Sequence, residues 1–393
     1  MKNKTKNNIR LPKGDGLNLP KSWEIKKLGE VCEVIAGQSP ESKFYNAKGK
    51  GLPFYQGKKE FTGKFIGAPT KWTTKTTKEA IKDDILMSVR APVGPVNFAT
   101  QRICIGRGLA AIRCGKSVDK DFVFNFLKKY EDEIIGNTGA VFNSINKKQI
   151  GEIQIPIPPL PEQKRIVALL DRIFLAIERS RNIAEQNLKN AKELFQSKLQ
   201  AIFESGKLKI ESGEWEEKKL NEISENLDSK RIPITKKNRK PGNIPYYGAS
   251  GVVDYVADYI FDEDLLCISE DGANLLARTY PIAFSISGKT WVNNHAHILR
   301  FNNPITQTFI ELYLNSIKLD NYISGMAQPK LNQTQLNKIP IPVPPTQEQK
   351  QIVAQLDALQ AETKKLEEIY QKKIDNLDEL KKSILQKAFA GEL

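Results

Sequence analysis

At 393 residues, with 40% hydrophobic and 27% charged side chains, the chain is long enough for two cores and too apolar to be disordered. Lysine and arginine outnumber acidic residues 60 to 46, and the resulting charge of +14 and pI near 9.3 point to a polyanionic partner, nucleic acid before membrane. No run is apolar enough to cross a bilayer, and Cys32, Cys104, Cys114 and Cys267 show neither metal-ligand spacing nor a disulfide pattern, so a cytoplasmic protein is expected.

Residues 1–18 read as a basic flexible tail, and with no apolar centre from Met1 to Lys13 a secretion signal is not expected. A first globular head is predicted over 19–157, opening with Trp23-Glu24 and Lys26-Lys27-Leu28. Its β-branched run from Ile103 to Ile112 predicts a strand, and Phe122 to Tyr130 a short helix. Prolines 156, 158, 159 and 161 block helix upstream and fix the start of a spacer helix over 158–205. Along it Ile166, Leu170, Ile173, Ile177, Ser180, Ala184, Asn187, Ala191, Leu194 and Lys198 step by four and three, a coiled-coil seam.

The chain then repeats itself. A polar linker, Glu204 to Gly213, opens a segment over 206–343 holding the second head, where Trp215-Glu216 and Lys218-Lys219-Leu220 return. Val252 to Ile260 and Trp291 to Leu299 predict strands, and Phe309 to Ile317 a helix matching that of the first head. The phrase Gly139, Asn146, Gln149, Ile153, Ile155, Pro156 reappears as Gly325, Asn332, Gln335, Ile339, Ile341, Pro342. Prolines 340, 342, 344 and 345 precede a second spacer helix over 344–393, with Thr346 and Gln349 as its capping box. The same shift that carries Glu162-Gln163-Lys164 onto Glu348-Gln349-Lys350 carries Ile166-Val167-Ala168 onto Ile352-Val353-Ala354. The second seam runs through Ile352, Leu356, Leu359, Thr363, Leu366, Tyr370, Lys373, Leu377, Leu380 and Ile384. The heads match far more loosely than the helices do.

These parts predict an α+β chain of two mixed α/β heads in tandem, separated by two long helices that pair as an antiparallel coiled coil with pseudo-two-fold symmetry. Volume matching pairs Ile166 with Ile384, Leu170 with Leu380, Ile173 with Leu377, Ser180 with Tyr370 and Ala184 with Leu366, with a one-heptad shift as the alternative register that would spoil this matching. Asn187 then meets Thr363, a polar pair suited to pinning the register. About 40 helical residues at ~1.5 Å each give a strut of roughly 60 Å. Half-sites read on one face of a duplex lie roughly 34–36 Å apart, or a multiple of that.

The chain resembles the DNA-specificity subunit of type I restriction-modification enzymes from Leu19 to Leu393. The resemblance is carried by the doubled helix entry, by the closing Leu385-Gln386-Lys387-Ala388-Phe389-Ala390-Gly391-Glu392-Leu393, and by motifs within the heads. These are Ile35 to Pro40, Leu86 to Pro92, Gly106-Arg107-Gly108-Leu109, Tyr246 to Gly251, Ser269 to Asn274 and Asn293 to His297. The resemblance implies a non-catalytic subunit whose heads are target-recognition domains, each reading one half of a bipartite double-stranded DNA sequence. It further implies that the helices set the spacing and dock two methyltransferase subunits, which use S-adenosylmethionine to methylate adenine. Two restriction/translocase subunits using ATP and Mg2+ would complete the complex, and this chain would bind no cofactor itself. A specificity subunit of a fused methyltransferase-nuclease is the near alternative; a stand-alone DNA-modifying enzyme and a structural adaptor are the distant ones.

Chemistry in the chain itself is sparse. No glycine-rich cofactor loop follows a strand, and no Asn-Pro-Pro-aromatic signature is present. Gly288-Lys289-Thr290 ends like a phosphate loop, but Ala283 stands where that loop needs glycine. His295 and His297 share a predicted strand face with Asn293; with Glu270 or Asp271 they could bind a metal, though hydrogen bonding that shapes a strand is the simpler use. Arginine reads guanine edges and asparagine or glutamine reads adenine edges. The DNA-contact candidates in the first head are Tyr55, Gln56, Lys58, Arg90, Arg102 and Arg107, the last between two glycines where backbone could approach a phosphate. In the second they are Lys230, Arg231, Lys236, Lys237, Arg239, Lys240, Asn274, Arg278, Asn293 and Asn294. The run 236–240 suits phosphate contact, which positions without specifying. Each candidate has a plainer alternative as a solvated charge or a turn-holding amide.

Overall fold

A computed structural model describes residues 19–136, 144–325 and 328–393; the predicted tail and Gly139 lie outside them. The chain divides into two compact units, Met1–Ile183 with Lys373–Leu393, and Ala184–Lys372. The two long helices, Leu160–Glu211 and Thr346–Ala390, each contribute to both units. The first helix includes 206–211, so most of the segment predicted as a linker is helical, and only Ser212–Glu214 turn the chain into the second head.

In the first unit, Cys32–Ala36, Leu109–Cys114, Ile85–Ser88 and Val96–Phe98 form an antiparallel sheet in that order. A second sheet is built around the parallel pair Leu52–Tyr55 and Ile103–Ile105. The second unit repeats the plan. Glu225–Asn226, Ala296–Arg300, Leu265–Ser269 and Ala283–Ile286 form its antiparallel sheet. Pro241–Gly248 lies parallel to Lys289–Val292 in the other. The single strands predicted over 103–112 and 291–299 are each two strands broken by a turn, at Gly106-Arg107-Gly108 and Asn293-Asn294-His295. Apolar character continues through each break because both strands are buried, which hides the turn from a periodicity reading.

Each head closes on a two-stranded ribbon, Glu24–Lys27 with Gln154–Ile157 and Glu216–Lys219 with Pro340–Val343, which leads into a long helix. The first unit's core joins the start of one helix (Ile166, Leu170) to the end of the other (Leu385, Ala388, Phe389). The second joins Leu199 and Phe203 to Ile352, Val353 and Leu356. Start meets end in both, so the helices pair antiparallel, as predicted. The contacts recur in kind: Phe389 meets Phe122 and Phe126 edge-on at 5.1 and 5.4 Å, and Phe203 meets Tyr313 and Phe309 at 5.1 and 5.4 Å. Fully buried aromatic anchors of this kind contribute about 3–5 kcal/mol each relative to alanine.

The duplicated glutamine also gains a reason. Gln163 is fully buried, accepting the Asp119 amide (2.8 Å) and donating to the Pro158 carbonyl (2.8 Å). Gln349 accepts the Thr306 hydroxyl (2.8 Å) and donates to the Pro344 carbonyl (2.8 Å). Each bolts the head's helix to the proline-rich entry of a long helix.

The predicted register needs correction. Its ladder would place Arg181 near Ile369, but Arg181 pairs with Asp378. Arg165 donates to the Leu393 carbonyl (2.5 Å) and Lys209 pairs with Glu348, both about one heptad (~7 residues) beyond the predicted partners. The seam also drifts. Ile166, Leu170, Ile177 and Ala184 are buried as predicted, and Ile173, Ser180 and Asn187 half-buried, but Leu194 and Lys198 are exposed and Leu199 and Phe203 take their place. In the second helix Ile352, Leu356 and Thr363 hold, and Leu359, Tyr370, Leu377 and Ile384 are half-buried. Leu366, Lys373 and Leu380 are exposed, and burial steps from Thr363 by eleven residues to Ile374 and again to Leu385. Eleven residues fit three turns of a nearly straight helix, where a strict heptad loses ~20° each repeat. Thr363 donates to Gln360 of its own helix (3.1 Å), leaving the register to the end anchors.

Candidate nucleic-acid interface

Seven of the sixteen DNA-contact candidates have side chains engaged by other groups of their own head. Tyr55 is buried with its hydroxyl donating to the Gly67 carbonyl (2.9 Å), and burial pushes its pKa up to about 12. Arg102 is held by Glu79 at 2.6 Å, which keeps that carboxyl below its ordinary range. Arg239 donates to Asp254 (2.8 Å) and to the Ile234 carbonyl (3.1 Å) while lying 4.2 Å over the Tyr246 ring. Arg278 donates to the Ile317 and Leu314 carbonyls (2.7 and 3.3 Å), closing the C-terminus of the helix Pro304–Ser316. Burial lowers its guanidinium from the usual value. Asn274 accepts the Thr279 amide (2.9 Å) and donates to the Tyr280 carbonyl (2.9 Å), and Asn293 accepts the His295 amide (2.8 Å). Tyr55, Arg239, Arg278, Asn274 and Asn293 thus bond backbone groups of their own heads and shape the loops there, while Arg102 is tied to a carboxylate at the surface.

Arg231 belongs to a larger network. It donates to Glu270 (2.6 Å), the Ala296 carbonyl (2.8 Å) and the Asp228 carbonyl (3.0 Å). His297, 1% exposed, bridges the Asp228 carboxylate (2.5 Å) and the Leu331 carbonyl (2.8 Å), so both ring nitrogens are engaged. Lys330 adds a 3.1 Å contact to Glu270, and Asp271 holds His295 at 2.8 Å. Burial alone would raise Asp228 and Glu270, but the contacts of His297 with Asp228 and of Arg231 and Lys330 with Glu270 hold both carboxyls below their ordinary values. Among the described residues no group of three or more His, Cys, Asp or Glu side chains is placed to hold a metal. Here His297 fastens the segment around Asp228 and that around Leu331 to the central sheet, and His295 is tied to Asp271.

What remains faces water. Gln56, Lys58, Arg90 and Arg107 in the first head, and Lys230, Lys236, Lys237, Lys240 and Asn294 in the second, are exposed, and their side chains make no hydrogen bond or ion pair among the described residues. The glycines beside Arg107 let the turn pack closely on the neighbouring backbone. A Cβ at Gly106 would stand 2.9 Å from the Gln56 Cα, and one at Gly108 2.4 Å from the Gln56 carbonyl oxygen. A cleft of about 820 Å3 at the base of the second head is lined by Glu214, Glu216, Glu222 and Glu225 with Lys218 and Arg300. Its carboxylates make it unsuited to a phosphate backbone.

This plan of paired heads on repeated helices has a family. A model for the type I restriction modification DNA specificity domain matches the chain twice, over residues 20–186 and 212–376. The chain belongs to that family. A Methanocaldococcus jannaschii chain, provisionally assigned as the MjaX specificity subunit of a type I restriction enzyme, is 44% identical over 199 residues, which is 49% of this chain and 45% of that one. The first relatives so matched are covered over only about half their length. The EcoKI specificity subunit of Escherichia coli is 24% identical over 95% of this chain and 90% of its own. Among solved structures, the HsdS subunit from Thermoanaerobacter tengcongensis aligns over 95% of this chain and 98% of its own, with TM-score 0.59 and 19% identity. A chain from a structure concerning assembly of the type I R-M system aligns over 95% and 99%, with TM-score 0.75 and 19% identity.

Proposed function

We propose that this chain is the non-catalytic DNA-reading subunit of a type I restriction-modification enzyme, each head recognising one half of a split sequence. The observation that carries the reading is the union of two unlike heads, each exposing unengaged cationic and amide side chains, with helices of one repeated sequence. Lys58, Lys230, Lys236, Lys237 and Lys240 supply phosphate contacts, which position the heads without specifying a sequence. The long helices dock two methyltransferase subunits; Leu175, Ile183, Leu194, Leu208, Ile369 and Leu380 lie exposed along them, available apolar surface for partner helices. In this reading S-adenosylmethionine, and ATP with Mg2+ where restriction subunits join, belong to the partners, and the complex works in the cytoplasm. No helix among the described residues is long and apolar enough to cross a membrane.

Mapping methylated adenines in cells with and without the gene tests this. A split motif modified only when the gene is present is the expected result; identical maps would refute the reading.

A further inference from the structure

The two interrupted strands place one exposed residue at the same point of each head. In the first head the Gly106 amide donates to the Tyr55 carbonyl (2.8 Å) and the Val89 amide to the Gly108 carbonyl (3.0 Å), fixing both ends of the turn 106–108. In the second the Asn293 amide donates to the Tyr247 carbonyl (3.0 Å) and the Glu270 amide to the His295 carbonyl (2.9 Å). The flanking registers agree as well: Tyr55 lies beside Ile105 and Leu109 beside Ser88, as Tyr247 lies beside Val292 and Ala296 beside Ser269. Gly106, Arg107 and Gly108 therefore correspond to Asn293, Asn294 and His295.

The turns are rigid by different means. The first head removes side chains at both ends so that the turn packs on Gln56. The second folds the Asn293 side chain back onto the His295 amide and ties His295 to Asp271. In both, the middle residue is exposed and without a side-chain partner among the described residues. One is an arginine and the other an asparagine, side chains whose forked donors and acceptors match the major-groove edges of guanine and adenine respectively. A pre-organised backbone presenting one variable, base-competent side chain is the geometry that reading a single base requires.

We propose that Arg107 and Asn294 are equivalent specificity determinants, Arg107 reading a guanine in one half of the target and Asn294 an adenine in the other. The proposal rests on the DNA-reading function above. It is tested with the full chain expressed beside its methyltransferase subunits, by mapping the methylated motif for wild type, Arg107→Ala, Asn294→Ala, Arg107→Lys and Lys237→Ala. Arg107→Ala should relax one guanine position in one half only, with preference there falling about 5- to 150-fold. Asn294→Ala should relax one adenine position in the other half. Arg107→Lys should retain part of the guanine preference, and Lys237→Ala should leave the motif unchanged. An unaltered motif in both alanine variants overturns the proposal. Where a variant methylates too little to map, competition binding of the purified complex to duplexes with single base-pair changes decides. Loss of discrimination at one position supports base reading, and an equal loss for every duplex assigns a phosphate contact and overturns it. A wild-type chain that yields no methylated motif would instead sink the underlying reading.

Discussion

Replacing Gln163 by alanine should loosen the first head from its helix. The side chain is fully buried and binds the Asp119 amide and the Pro158 carbonyl, with a longer contact of 3.4 Å to Ser117. Truncation leaves one amide and one carbonyl in a dry site without partners, each costing about 1–3 kcal/mol, so a loss of about 2–4 kcal/mol is expected. Gln349→Ala removes a similar pair of bonds, but its acceptor takes the Thr306 hydroxyl, which can rotate to water at its half-buried position. Its cost should be smaller, about 1–3 kcal/mol. Urea titrations of the purified variants, followed by circular dichroism, give both values. Changes below about 0.5 kcal/mol, or Gln349→Ala costing clearly more, would refute the view that these glutamines bolt heads to helices.

Other perturbations test separate parts of the account. Arg181→Cys with Asp378→Cys should be bridged by a short bismaleimide, whereas Arg181→Cys with Ile369→Cys, the register read from sequence, should not; the reverse yield would restore the heptad ladder. Because Asp228 and Glu270 are held below their ordinary values, the stability they contribute is complete above about pH 4.5 and decays as pH falls through and below that point. Asp228→Asn should therefore flatten the acid limb of the melting temperature measured from pH 6 to 3, and an unchanged limb would deny the network that role. Gly108→Ala places a methyl 2.4 Å from the Gln56 carbonyl, so overpacking should cost about 1–3 kcal/mol in thermal unfolding. DNA affinity of the complex should fall steeply with salt, log K dropping by about 0.9 per neutralised phosphate per decade. A flat salt titration would argue against lysine-led contact.

The repeat, the two heads and the antiparallel helix pair were all legible in residue spacing, because apolar periodicity and proline placement are local signals. The register was not. It depends on end anchors such as Phe203 and Phe389, whose partners Tyr313 and Phe122 lie far away in sequence. The candidate site divided along a similar line. Arg231, Arg278 and Asn293 have the same chemistry as Arg90, Arg107 and Asn294, and only folding shows which have carbonyls or carboxylates within reach. The strand-breaking turns carried a faint signal in Gly106-Arg107-Gly108 and in the paired asparagines Asn293-Asn294, masked by the buried apolar runs on either side. The equivalence of the two turns emerged only from the backbone bonds that frame them.

The claim that two unlike heads read two independent halves is tested most directly by exchanging one of them. A chimera carrying residues 20–157 from a family member of different specificity, expressed with the methyltransferase subunits, should methylate a motif with one new half, one original half and the original spacing. A motif with both halves unchanged, or both altered, would contradict it.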